Sequence, residues 1–169
     1  MTGAVVNSST SKGQFAGYAG WLLLTGFTAY LGGLASIQAA AFYGELVQPV
    51  WSPPAWLFGP VWTVLYLMMA IAAILVWRQG GFTAHRLALM LFIVQLILNG
   101  LWSWLFFAWQ LGGVALLDIA LLWIAIVATA VAFWRVRPLA GALLIPYLVW
   151  VSFAAVLNFT LWQLNPELL

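Results

Sequence analysis

Long apolar runs separated by short polar breaks constrain this chain more than any other feature. They occupy roughly residues 18–41, 55–77, 85–107, 114–134 and 139–164, and each reaches the ~20 residues that a helix needs to cross a hydrocarbon core. With 66% hydrophobic and 5% charged residues the chain cannot dress itself in a water-soluble surface. The expected fold is all-α, an integral membrane bundle of five transmembrane helices. Residues 1–17 read as a polar amino-terminal tail and residues 18–169 as one membrane domain. Lys12 followed by an apolar run and the small residues Ala39 to Ala41 imitates a signal peptide. The run is too long for that purpose and is read as a span.

Scarcity of reactive side chains excludes whole classes of chemistry. Cysteine is absent, histidine occurs once, at His85, and the sole lysine, Lys12, lies in the tail. Dithiol redox chemistry, bis-histidine haem ligation and most zinc sites need more ligands than this, so no intrinsic metal or cofactor is expected. A retinal Schiff base lacks its lysine, and His85 reads as an interfacial residue at a helix start. Five basic against three acidic residues make no surface for nucleic acid. Those five are placed with purpose. Lys12, Arg78, Arg86, Arg135 and Arg137 all fall on one side of a five-span chain. That side faces the cytoplasm if the membrane is an inner one, as in a bacterial cell envelope.

Polar side chains at membrane depth cost free energy unless paired or hydrated, so their positions carry information. On span three Gln95, Asn99, Trp102 and Phe106 recur on one helical stripe, and on span five Tyr147, Trp150, Ala154 and Asn158 do so. On span two Trp62, Tyr66 and Met69 share a face. On span four Asp118 aligns with Leu121, Ala125 and Thr129. Such stripes suit a pocket under the first loop, with Ala154 leaving space beside flat rings. Two other roles compete. Asn99 and Asn158 suit interhelical hydrogen bonds equally well, and most of the twelve tryptophans lie near span ends as interfacial anchors. A buried Asp118 costs about 2.5–3.5 kcal/mol on insertion scales unless it reaches water.

Several motifs occur together in order. Trp51-Ser52-Pro53-Pro54 is followed by Phe58, Pro60, Trp62, Leu65 and Tyr66; Asn99 precedes Trp102, Phe106 and Phe107; and Pro146-Tyr147-Leu148-Val149-Trp150 leads to Leu157-Asn158. From about Gly32 to Asn165 the chain resembles the TspO/translocator family of tryptophan-rich membrane receptors. The resemblance implies a pocket beneath the first loop that takes porphyrins and, in some members, drug-like ligands. Tyr43, Trp62, Asn99, Trp150 and Ala154 match the family's pocket residues. It implies a role as a membrane receptor or regulator of tetrapyrroles. The alternatives are a small secondary transporter, or light-dependent porphyrin breakdown with Trp62 and Trp150 as oxidisable rings. A transporter would want more embedded charge than Asp118 supplies.

Two family features are not matched. The sterol pattern at the end of span five calls for a central Tyr and a following Lys or Arg, where this chain has Phe159, Thr160 and Leu164. High-affinity cholesterol binding is therefore not expected. A homodimer through small residues on span three would rest chiefly on Ala84 and Ala88.

The charge pattern predicts that the first loop and the carboxyl terminus share one membrane face. Cysteines introduced singly at Glu45 and Glu167 should be labelled by an impermeant maleimide from the same side, and labelling from opposite sides contradicts the five-span count.

Overall fold

The computed structural model describes residues 8–169, with side chains from Gly13 onward, and residues 1–7 of the expected tail lie outside the described residues. Helix α1, Ser8–Ala35, bends by 47° into the short α2, Ala39–Glu45. A single 3-10 turn, Ala55–Leu57, enters α3, Phe58–Trp77. The short α4, Gly81–Ala84, precedes α5, Arg86–Ser103, which continues as a π turn over Trp104–Ala108. Then come α6, Gly112–Val136, α7, Pro138–Ala142, and α8, Ile145–Leu164. Four helical stretches, Ala55–Trp77, Arg86–Ala108, Gly112–Val136 and Pro138–Leu164, are long and apolar enough to span, and the bent α1–α2 pair supplies the fifth. The protein is an integral membrane bundle of five helical spans.

Three local readings of the sequence are corrected. The first span breaks over residues 36–38 and resumes, so Tyr43 sits on a helix and not in a loop. Gly32 and Gly33 weaken the end of α1, and the Ser36 hydroxyl donates to the Gly32 carbonyl at 2.8 Å, a back-bond that bends helices. The short break between the second and third spans is partly the helix α4. The fifth span is two helices, because Pro146 cannot donate to the preceding turn and instead occupies the first turn of α8.

The bundle packs around α5 and α6. Phe92 stacks on Phe133 at 5.6 Å, and Trp21 of α1 meets the edge of Phe92 at 5.7 Å. In lipid such contacts depend on close approach more than on expulsion of water, so small residues sit where helices touch. At Gly141 a Cβ would lie 2.8 Å from the Ala130 carbonyl oxygen and 2.8 Å from the Trp134 Cβ. At the other end Asn165 closes the fold. Its Oδ1 accepts from the Val47 N–H at 2.8 Å and its Nδ2 donates to the Val47 carbonyl at 3.0 Å, joining the segment after α2 to the chain after α8.

Gly141→Val should destabilise the protein by about 1–3 kcal/mol, since backbone and not a flexible side chain occupies the space. Thermal unfolding in detergent would show it as a lowered midpoint, and an unchanged midpoint contradicts the close α6–α7 contact.

Candidate functional site

A cavity of about 480 Å³ lies beneath α2, enclosed by α1, α2, α3 and the end of α5. Its volume falls within the usual range for a small-molecule pocket, roughly 300–1,000 Å³. One wall is the small-residue face of α1, with Thr25, Gly26, Ala29, Gly32, Gly33 and Ser36. Facing it are the rings of Phe58, Trp62 and Tyr66 on α3, and Trp102 and Phe107 at the end of α5. Tyr43 roofs the space from α2, its hydroxyl donating to the Pro53 carbonyl at 3.2 Å while its ring meets the edge of Phe58 at 5.5 Å. A flat glycine-rich wall opposite aromatic rings makes a slot. Leu22, Gly26 and Gly33 of α1 and Gly59, Thr63 and Leu67 of α3 are exposed lining residues, so the slot opens sideways between α1 and α3.

Among the described residues no acid or base lines the cavity. Its polar side-chain groups are hydroxyls and the indole N–H groups of Trp62 and Trp102. Thr25 is 1% exposed and its Oγ1 has no hydrogen-bond partner. The hydroxyls of Tyr66 and Ser103 both approach Gly32, where a Cβ would sit 3.7 Å from the first and 3.3 Å from the second. Lipid cannot satisfy such groups, so they are available to a ligand.

Behind the rings runs a chain of buried hydrogen bonds across three helices. Tyr66 donates to Asn99 Oδ1. Asn99 Nδ2 donates to the Tyr147 hydroxyl at 3.0 Å, which donates to Gln95 Oε1 at 2.9 Å. Gln95 Nε2 ends the chain on the Met69 sulfur at 3.9 Å. A second chain holds Trp102, whose indole N–H donates to Asn158 Oδ1 at 3.1 Å while Asn158 Nδ2 donates to the Gly112 carbonyl at 3.0 Å.

The ten residues expected at the site therefore separate. Tyr43, Trp62, Tyr66 and Trp102 line the cavity. Asn99, Tyr147 and Asn158 stand one layer behind, each hydrogen-bonded between helices. Asp118, Trp150 and Ala154 lie outside the residues that line this cavity. Phe58, itself in the lining, meets the edge of Tyr43 at 5.5 Å and of Trp150 at 5.9 Å, so Trp150 stands behind its ring. Trp150 keeps a buried indole N–H without a partner, and Asp118, 5% exposed, has a buried Oδ2 without one. Among the described residues no group of three metal-ligating side chains gathers.

The wall on α1 escaped the sequence reading, although a signal existed. Gly26, Ala29, Gly33 and Ser36 recur at steps of three and four, the spacing of one helical face. Ser103 was hidden because a lone serine in an apolar helix most often bonds its own backbone.

The sequence matches the TspO/MBR family over residues 18–163. It is 49% identical to the tryptophan-rich protein TspO of Chlorobaculum tepidum over 132 residues, 76% of this chain and 82% of that protein. It is 44% identical to the human translocator protein, with 76% of this chain and 77% of that one covered. With the tryptophan-rich sensory protein of Cereibacter sphaeroides it shares 36% identity, over 86% of this chain and 92% of the other. The chain belongs to the TspO/MBR family.

Proposed function

We propose that this member of the TspO/MBR family is a membrane receptor or regulator that binds porphyrins and similar flat hydrophobic ligands in the cavity beneath α2. The observation that carries the reading is the slot itself, with glycines and alanines on one side and Trp62, Tyr66 and Trp102 on the other. A flat conjugated ring gains dispersion and offset-stacking energy from such rings, about 0.5–1.5 kcal/mol for each aromatic pair beyond simple burial. The absence of charge among the described lining residues supports a ligand held by its ring system and not by ion pairing. Under this reading Phe58 and Tyr43 shape the roof, while Asn99 and Asn158 hold Tyr66 and Trp102 in place from behind. The clustering of arginines supports an orientation with the opposite end of the bundle, Glu45 and Glu167, away from the cytoplasm of an inner membrane.

Protoporphyrin titrated into the purified protein should quench tryptophan fluorescence with about one ligand per chain. Trp62→Ala should weaken binding about fivefold to tenfold, whereas Trp134→Ala, at an exposed ring outside the cavity, should change it little. Equal losses would show that the pigment only partitions into detergent around the protein.

A further inference from the structure

The buried hydrogen-bond chain has a direction, and the direction is fixed at its far end. A thioether sulfur carries no proton and can only accept. The Met69 sulfur, fully buried, therefore takes the amide N–H of Gln95. Gln95 then has only its carbonyl oxygen left for Tyr147, so the Tyr147 hydroxyl must donate to it. That hydroxyl has spent its one proton, and the bond from Asn99 must come from the Asn99 amide N–H. Asn99 in turn is left with its carbonyl oxygen facing Tyr66, and the Tyr66 hydroxyl donates into it. Turning one amide alone would oppose two acceptors or two donors in a site 1–2% exposed, and turning both would set the Gln95 carbonyl against the sulfur.

The consequence appears in the cavity. Tyr66 has one hydroxyl proton and it points away from the cavity, so what the oxygen presents beside Gly32 is lone pairs alone. Next to it Ser103 has a hydroxyl free to rotate and donate. The geometry points to a selection rule: the site favours a neutral ligand edge that sets an N–H or O–H against Tyr66 with an acceptor beside it for Ser103. An amide, a lactam or an un-ionised carboxylic acid has that edge. An ester or an ionised carboxylate lacks the proton and turns a lone pair toward another lone pair. Met69, Gln95, Asn99 and Tyr147 are positioning residues in this account, acting through Tyr66. The inference rests on the pigment-binding reading above and specifies which edge of the pigment enters first.

Two probes of equal flatness and zero charge separate the possibilities: the bis-amide of protoporphyrin and its dimethyl ester. The wild-type protein should bind the amide about tenfold more tightly, as expected for one satisfied against one opposed hydrogen bond in a dry site. Tyr66→Phe, which removes the opposing lone pairs, should bring that ratio close to one by weakening the amide and tightening the ester, and retained ester binding shows that the variant is folded. Gly32→Ala reaches the same outcome by another route, since its Cβ covers the Tyr66–Ser103 pair. Met69→Leu, similar in volume and outside the cavity lining, should also lower the ratio, because Gln95 is then free to turn; a merely structural role would weaken both ligands alike. A wild-type ratio near one with both probes bound overturns the selection rule and leaves the pigment reading intact. A ratio that survives Tyr66→Phe or Met69→Leu overturns the assignment to Tyr66 or to the relay. Binding of neither probe overturns the pigment reading and this inference with it.

Discussion

A polar side chain in hydrocarbon has no solvent to fall back on, and it must find its partners within the protein. Asn99 meets that demand at the centre of this bundle. By accepting from Tyr66 on α3 and donating to Tyr147 on α8 it ties three helices together. Each such interhelical bond contributes only about 0.6–2 kcal/mol. Its larger effect is on geometry, because a rotation of α3 or α8 by one residue would strand three buried groups at once. The Trp102–Asn158–Gly112 chain does the same for α5, α8 and the start of α6. Between them they hold two of the cavity's rings at fixed positions before any ligand arrives, which lowers the ordering cost of binding.

The cavity exists because α1 does not match the rest of the bundle. Its inward face carries glycine, alanine, threonine and serine where the other spans carry leucine, isoleucine and aromatic residues. The 47° bend then lays α2 across the top with Tyr43 pointing down. Elsewhere small residues let helices touch, as at Gly141 against α6. Along this part of α1 the buried Gly32 meets Ser103 and Tyr66, while the exposed Gly26 and Gly33 face the lateral opening. At Gly26 and Gly33 a Cβ would meet nothing within 4 Å, and that space is what a ligand can enter.

The span count and the pairing of loops were legible in the sequence because length and hydropathy alone set them, and positively charged residues marked alternate breaks. Trp62, Tyr66 and Trp102 were legible as cavity candidates because helical periodicity assigns each to a face, whereas Tyr43 entered only through the family resemblance. Periodicity does not say what stands across from that face. Trp150 shares a stripe with Asn158, yet Phe58 intervenes between it and the cavity, and nothing in the spacing of α8 records a ring on α3. The direction of the hydrogen-bond chain was equally invisible, since it depends on a methionine sulfur and a glutamine amide brought together from two helices. The break at residues 36–38 was masked by an apolar run that continues through it.

The central claim is that the ligand occupies the slot between α1 and α3. The most direct test is an experimental structure of the protein with protoporphyrin bound in lipid nanodiscs. The account predicts the macrocycle flat against Gly26, Ala29 and Gly33, with Trp62 and Trp102 on its other face and its mouth toward the lipid. A macrocycle lodged against Trp150 and Ala154, with the α1 face empty, would contradict it.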